Sequence, residues 1–293
     1  GETSTLPVDT GTPPVDSGTP APVVFQASLR ELGTTIGLVR WLDVSAEEPV
    51  RIDVSWSDGA HGGAKSEPEH QPVHALSILG LRPSRTYQVI VVATAADARS
   101  SEVRLDLVSD DLPATWPDLD VRAHDKARME PGLSLLSLYG PDNHWYATVY
   151  DEDLEVVWFE ERYWIDLRRT STSGGLFGLT SWGISEILFS GEEIRSWARD
   201  GAYGAIPVVY DLHHEAVPMD DGGVLTLGLA WRDVDAYPTS YVDPPSSMAP
   251  GRLTTPVVYR FAADGSTLMD VDLGDVLDIQ RIGFGALDQN NGA

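Results

Sequence analysis

At 293 residues, 42% hydrophobic and 22% charged, the chain has the composition of a globular protein with room for two domains and a flexible segment. A formal net charge of -25 sets its surface against nucleic-acid backbones and anionic membranes, so neither is an expected partner. The absence of cysteine excludes disulfides, thiolate nucleophiles and cysteine-held metals, and no stretch approaches the roughly 20 apolar residues that span a bilayer.

With 27 Gly, 20 Pro and 9 Trp, the sequence favours many short strands over long helices. Residues 1–23 form an imperfect repeat, Pro7-Val8-Asp9-Thr10-Gly11-Thr12-Pro13 followed by Pro14-Val15-Asp16-Ser17-Gly18-Thr19-Pro20, with no Lys or Arg and little to bury. This composition predicts an extended linker. It resembles the spacers that follow the lipid-modified cysteine of bacterial surface lipoproteins. That resemblance implies an exported protein, periplasmic or at the cell surface, whose only membrane contact is a lipid anchor just before Gly1.

Residues 24–113 predict a small β-sandwich. Val24–Leu29, Thr35–Val44 and Val50–Trp56 read as strands, and the third alternates Val50, Ile52, Val54 and Trp56 against Arg51, Asp53 and Ser55. Ser57-Asp58-Gly59 closes it as a turn. Leu81-Arg82-Pro83 ahead of Tyr87 and an alternating strand resembles the fibronectin type III signature, with Tyr87 as its corner tyrosine. His61, His70 and His74 lie in or beside a Gly/Glu/Pro-rich stretch whose spacing fits no familiar metal template.

Leu112-Pro113-Ala114-Thr115-Trp116-Pro117 marks a boundary. From 114 to 293 a unit of two strands around an acidic turn recurs: Trp145–Tyr150 with Glu155–Phe159, a weaker copy over Glu186–Trp197, and Pro256–Phe261 with Ser266–Val271. Repeats of roughly 45 to 55 residues predict β-propeller blades, about three of them here. His124 falls in a small basic cluster read as solvated surface, and His144-Trp145 opens a blade strand.

The densest chemistry lies at 210–228. His213 and His214 run into Glu215, then an acidic Gly turn, Asp220–Gly223, leads into Val224–Leu229. The pattern predicts a hairpin with the histidines on its first strand. A neutral imidazole is a competent nucleophile near pH 7, and a second histidine can offset charge on developing anionic oxygens. A histidine and an acid on a blade strand can equally serve to bond the neighbouring blade. Tyr237 and Tyr241 fall in a Pro/Ser-rich stretch, Ala236–Gly251, read either as a cap whose tyrosines stack on an aryl ring or as an ordinary insertion.

The sandwich, the Leu-Pro linker, the acidic-turn units and His213-His214-Glu215 together resemble the bacterial aryl-sulfate sulfotransferases. The resemblance implies an all-β chain, a fibronectin-III-like sandwich joined to part of a six-bladed propeller. It also implies sulfuryl transfer from a phenolic sulfate donor to a phenol acceptor, without cofactor or metal. His214, lining the channel, is the expected contact to sulfate, with His213 beside it and Glu215 in place of the family's Asp. The family's Asp-Trp-x-His-x-Asn segment, its Ser-x-Arg segment and its later histidine do not occur in residues 215–293. They are expected in blades beyond Ala293, and residues 1–293 alone are expected to be inactive. A surface protein binding carbohydrate or another protein is the alternative, and a quinone-bearing propeller dehydrogenase ranks last.

Overall fold

The computed structural model describes residues 21–33, 35–170, 173–180, 183–197, 209–238 and 248–278. They form an all-β chain of several antiparallel sheets with no α-helix. Among them no helix is long and apolar enough to cross a membrane.

The first sheet is built from β1 (Phe25–Glu31), β3 (Arg40–Ser57), β4 (Gly62–Ile78), β5 (Thr86–Ala95) and β6 (Ser100–Val108). Strand β3 is its spine. β4 follows one edge of β3 along its length, while the other edge pairs with β1 over Arg40–Ala46 and with β5 over Val50–Ser57. The segments expected as two strands, around 35–44 and 50–56, are therefore largely one. Pro49, which cannot donate to a ladder, falls between the two sets of partners, where the β4 register also slips. β1 and β6, at opposite ends of the strand order, touch, so the sheet curls into a half-barrel. Its inner face carries Leu42, Val44, Val50, Ile52, Val54 and Val91, all buried. Tyr87 is fully buried and its hydroxyl accepts the Arg82 N–H at 2.8 Å, the bond expected of a corner tyrosine. The Gly/Glu/Pro-rich stretch around His70 is extended strand within β4.

Three four-stranded sheets follow. The first holds β7 (Ser134–Tyr139), β8 (Trp145–Tyr150) and β9 (Val156–Glu161), and its fourth strand is β2 (Ile36–Gly37), contributed from between β1 and β3. The second is the meander β10 (Trp164–Arg169), β11 (Leu176–Thr180), β12 (Gly183–Ile187) and β13 (Glu193–Trp197). The third is the meander β14 (Val209–Pro218), β15 (Val224–Pro238), β16 (Met248–Phe261) and β17 (Thr267–Asp272).

Successive sheets share cores. Tyr146, Tyr150, Val156 and Phe159 join the half-barrel's Leu38, Leu42 and Leu81 in one apolar cluster. Ala147, Val149 and Trp158 pack with Trp164, Leu176 and Ile187 of the second sheet. Phe177, Leu179, Ile184 and Trp197 then pack on Val224, Val257, Tyr259 and Phe261 of the third. The leading strands are neighbours in series: β10 touches both β7 and β14.

Candidate functional site

The site is framed by β14, whose fold is fixed locally by the turn that follows. Gly222 takes a φ of +79°, a left-handed conformation that glycine adopts without cost, and its N–H donates to Met219 O at 2.9 Å. Met219 N–H donates to Gly223 O at 2.9 Å, and Asp221 Oδ1 accepts Gly223 N–H at 3.1 Å. Arg260 pairs with the same aspartate. The turn sets the register Pro218↔Val224, Val217↔Leu225 and Ala216↔Thr226.

Beyond Ala216 the register breaks. The next pair is Leu212↔Gly228, so His213, His214 and Glu215 together face the single residue Leu227. This is a β-bulge with two extra residues, a device that bends a strand and re-aims its side chains. Thr226 Oγ1 donates to Glu215 O at 2.7 Å and ties the bulge to β15. The Glu215 side chain is exposed. The side chains of His213 and His214, and all of Tyr241, lie outside the described residues.

A second bulge lies on the neighbouring strand. In β10 the register slips between Ile165↔Leu179 and Arg168↔Phe177, at Asp166-Leu167. Asp166 has a φ of +52° there, which among residues other than glycine Asp and Asn tolerate best. Its Oδ2 accepts the Ala216 N–H at 3.1 Å, and both of its oxygens accept from Arg168 Nη2. The two bulges, on different sheets, are thus bonded one residue past Glu215. Ser137 of β7 donates to Trp164 O at 3.0 Å, which links the third leading strand to this group.

Tyr237 is separate. It lies not in a loop but in β15, opposite Ala249, in a two-stranded ribbon that runs on past the last β14 partner, Ala230. Ten residues of strand divide it from Leu227, roughly 30 Å of extended chain. The structure therefore gathers the 213–215 segment, Asp166 and Arg168 and leaves Tyr237 outside. Asp166 and Arg168 carried one signal in the sequence: Asp is disfavoured within strands, and here it interrupts an apolar run after Trp164-Ile165.

No protein-family model matches the chain, and no curated protein matches it significantly.

The remaining histidines have local roles. His74 is buried, with Nε2 at 2.8 Å from Val50 O and 3.1 Å from Gln71 O. His61 Nδ1 lies 3.0 Å from Arg82 Nη1, and His124 Nε2 lies 2.9 Å from Glu152 O. His70 is exposed. His144 Nδ1 sits 2.5 Å from Glu161 Oε1. Near it, Trp145 contacts Tyr139 and Tyr163 at ring separations of 4.7 and 4.6 Å. Among the described residues no group of three or more His, Asp or Glu is arranged to hold a metal.

Proposed function

We propose that this chain carries part of a sulfuryl-transfer site, in which the tandem histidines of β14 take a sulfuryl group from a phenolic sulfate and pass it to a phenol. The observation that carries the reading is the bulge itself. His213-His214-Glu215 breaks the ladder of a leading strand that borders the leading strand of the adjacent sheet. Three sheets with neighbouring leading strands are compatible with blades around a hub, and a bulge on such a strand re-aims its residues relative to a regular ladder.

In the first half-reaction an imidazole nitrogen attacks sulfur. The N–S bond forms as the S–O bond to the donor breaks, and the electron pair leaves on the phenolate. In the second half-reaction the acceptor phenol oxygen attacks the same sulfur. The N–S bond breaks, the histidine recovers its electron pair, and the acceptor's proton passes to the released phenolate. His214 is assigned the sulfuryl contact and His213 the neighbouring donor. An acidic protein holding an anionic donor needs such local hydrogen-bond donors. The same reading places the protein outside the cytoplasm, tethered through the segment that precedes the half-barrel.

Incubation of the full-length protein, with any blades beyond Ala293, with a chromogenic phenyl sulfate and a phenol acceptor tests the proposal. Transfer that falls by at least about a hundredfold in His214→Ala supports it. Full activity in both His214→Ala and His213→Ala excludes the assigned chemistry. A second reading, a surface protein that binds carbohydrate or protein without chemistry, draws on Tyr139, whose exposed ring extends the Trp145–Tyr163 cluster. Absence of product from a folded protein, with saccharide binding abolished in Trp145→Ala, would favour it.

A further inference from the structure

We infer that Asp166 is a positioning residue for the tandem-histidine bulge, acting from the neighbouring sheet through the Ala216 N–H; the inference rests on the sulfuryl-transfer reading of that bulge.

Strand β14 is an edge strand, paired only with β15, so alternate backbone N–H groups point away from its sheet. Ala216 is fully buried, and its N–H cannot turn to water instead. No strand supplies the acceptor. A side chain does: Asp166 Oδ2, 3.1 Å away. The bonded group is the first residue after Glu215, at the point where the regular ladder resumes. Whatever fixes Ala216 therefore fixes one end of the bulge, and Thr226 at Glu215 O secures the same end from β15.

Three features show that the Asp166 carboxylate is aimed. Its backbone takes a left-handed φ within a strand, β10 slips register at this residue, and Arg168 holds both oxygens. An aspartate that only filled a place in a regular ladder would need none of them. A carboxylate also accepts more strongly from an N–H than a neutral group does. Displacements near 1 Å at a reacting group can cost about a hundredfold in rate, so a bond that sets where a bulge begins has leverage on the histidines beyond it.

The test compares Asp166→Ala with Asp166→Asn, which keeps an acceptor oxygen, in two independent readouts. The first is the imidazole titration of all seven histidines by NMR, with His213 and His214 assigned from their single variants. Asp166→Ala is expected to shift the resonances and titration of these two and leave His61, His70, His74, His124 and His144 in place. Asp166→Asn is expected to restore most of the wild-type pattern. The second readout is transfer from phenyl sulfate by the full-length protein. Here kcat should fall by about tenfold to a hundredfold in Asp166→Ala, with KM little changed, and recover in Asp166→Asn.

If the full-length wild-type protein, with any blades beyond Ala293, transfers nothing, the sulfuryl reading fails and the titration still decides the role of Asp166. Unmoved His213 and His214 resonances in a folded Asp166→Ala variant overturn the inference, as does failure of the asparagine to restore them. If the alanine variant does not fold, Arg168→Gln releases the carboxylate from its second anchor. The tandem histidine resonances should then shift in that protein, and their constancy overturns the inference equally.

Discussion

Tyr87 shows how much one hydroxyl can hold. Its ring lies in the half-barrel core and its oxygen is the acceptor for a backbone N–H with no strand partner. Tyr87→Phe keeps the packing and leaves the buried Arg82 N–H unpaired, so stability should fall by about 2 kcal/mol in urea titrations. That tyrosine was legible in the sequence because its partner lies five residues away and the motif is local. Asp166 was not, because its partner Ala216 comes from another sheet and nothing near Asp166 in sequence points to it. Asp153 adds a pH dependence. Hydrogen bonds from Lys126 and Arg82 hold its carboxyl well below the ordinary carboxylate range. A lowered folded-state pKa stabilises fully above the unfolded value of about 4, and the stabilisation is lost as pH falls toward the folded value. Urea midpoints should therefore drop on acidification below about pH 4, and Asp153→Asn should flatten that slope. An unchanged slope would remove Asp153 as its source.

Strand β2 is two residues long, yet it completes a sheet that begins far along the chain. Glu161 N–H donates to Thr35 O at 2.7 Å and extends this pairing. Gly37 is required there because of its neighbour. A Cβ at this position would stand 2.1 Å from the Phe159 ring, which is itself hemmed in by Trp116 and Tyr146. Gly37→Val should push β2 off its edge, cost about 3 kcal/mol, and speed hydrogen exchange at the Glu161 amide. Exchange as slow as in the wild type would mean that β2 is not held this way. Ile36–Gly37 fell within the expected Thr35–Val44 strand, but two residues carry no period that could separate them from β3 or assign them to β9, whereas Trp145–Tyr150 and Pro256–Phe261 could be placed by pattern. Reading Thr35–Val44 and Val50–Trp56 as separate strands failed in the opposite direction, at Pro49. β3 runs through it, at the point where β1 gives way to β5 on one edge and the β4 register slips on the other. The acidic turns were readable for a chemical reason: Asp58, Asp151, Asp221 and Asp264 each accept backbone N–H groups of their own turns.

The half-barrel and the sheet after it are joined by three separate kinds of contact, and this determines how the molecule should unfold. Strand β2 leaves the half-barrel's chain to pair with β9. Leu38, Leu42 and Leu81 share a core with Tyr146, Val156 and Phe159. Arg82, buried at its side chain, reaches Asp151 at 2.8 Å and Asp153 at 2.6 Å on the β8–β9 turn. Separating the two exposes apolar surface on both sides and strips Arg82 of its carboxylate partners, which couples their unfolding. Trp116, in the segment between them, packs at a tilt on Tyr146 and edge-on to Phe159 in the same seam. The segment at 118–128 is exposed and carries no strand, so a protease can reach it without disturbing these contacts. Calorimetry should therefore show the two parts melting in one transition, and protein nicked at 118–128 should still elute as a single species in native buffer. Two resolved transitions, or fragments that separate without denaturant, would show that the seam does not couple them. The coupling also bears on Asp166. It lies on β10, which packs through Trp164 against the sheet that β2 completes. A Gly37→Val protein should on this ground shift the His213 and His214 resonances too, by less than Asp166→Ala does, and a larger shift would place control of the bulge in the seam and not in its neighbour.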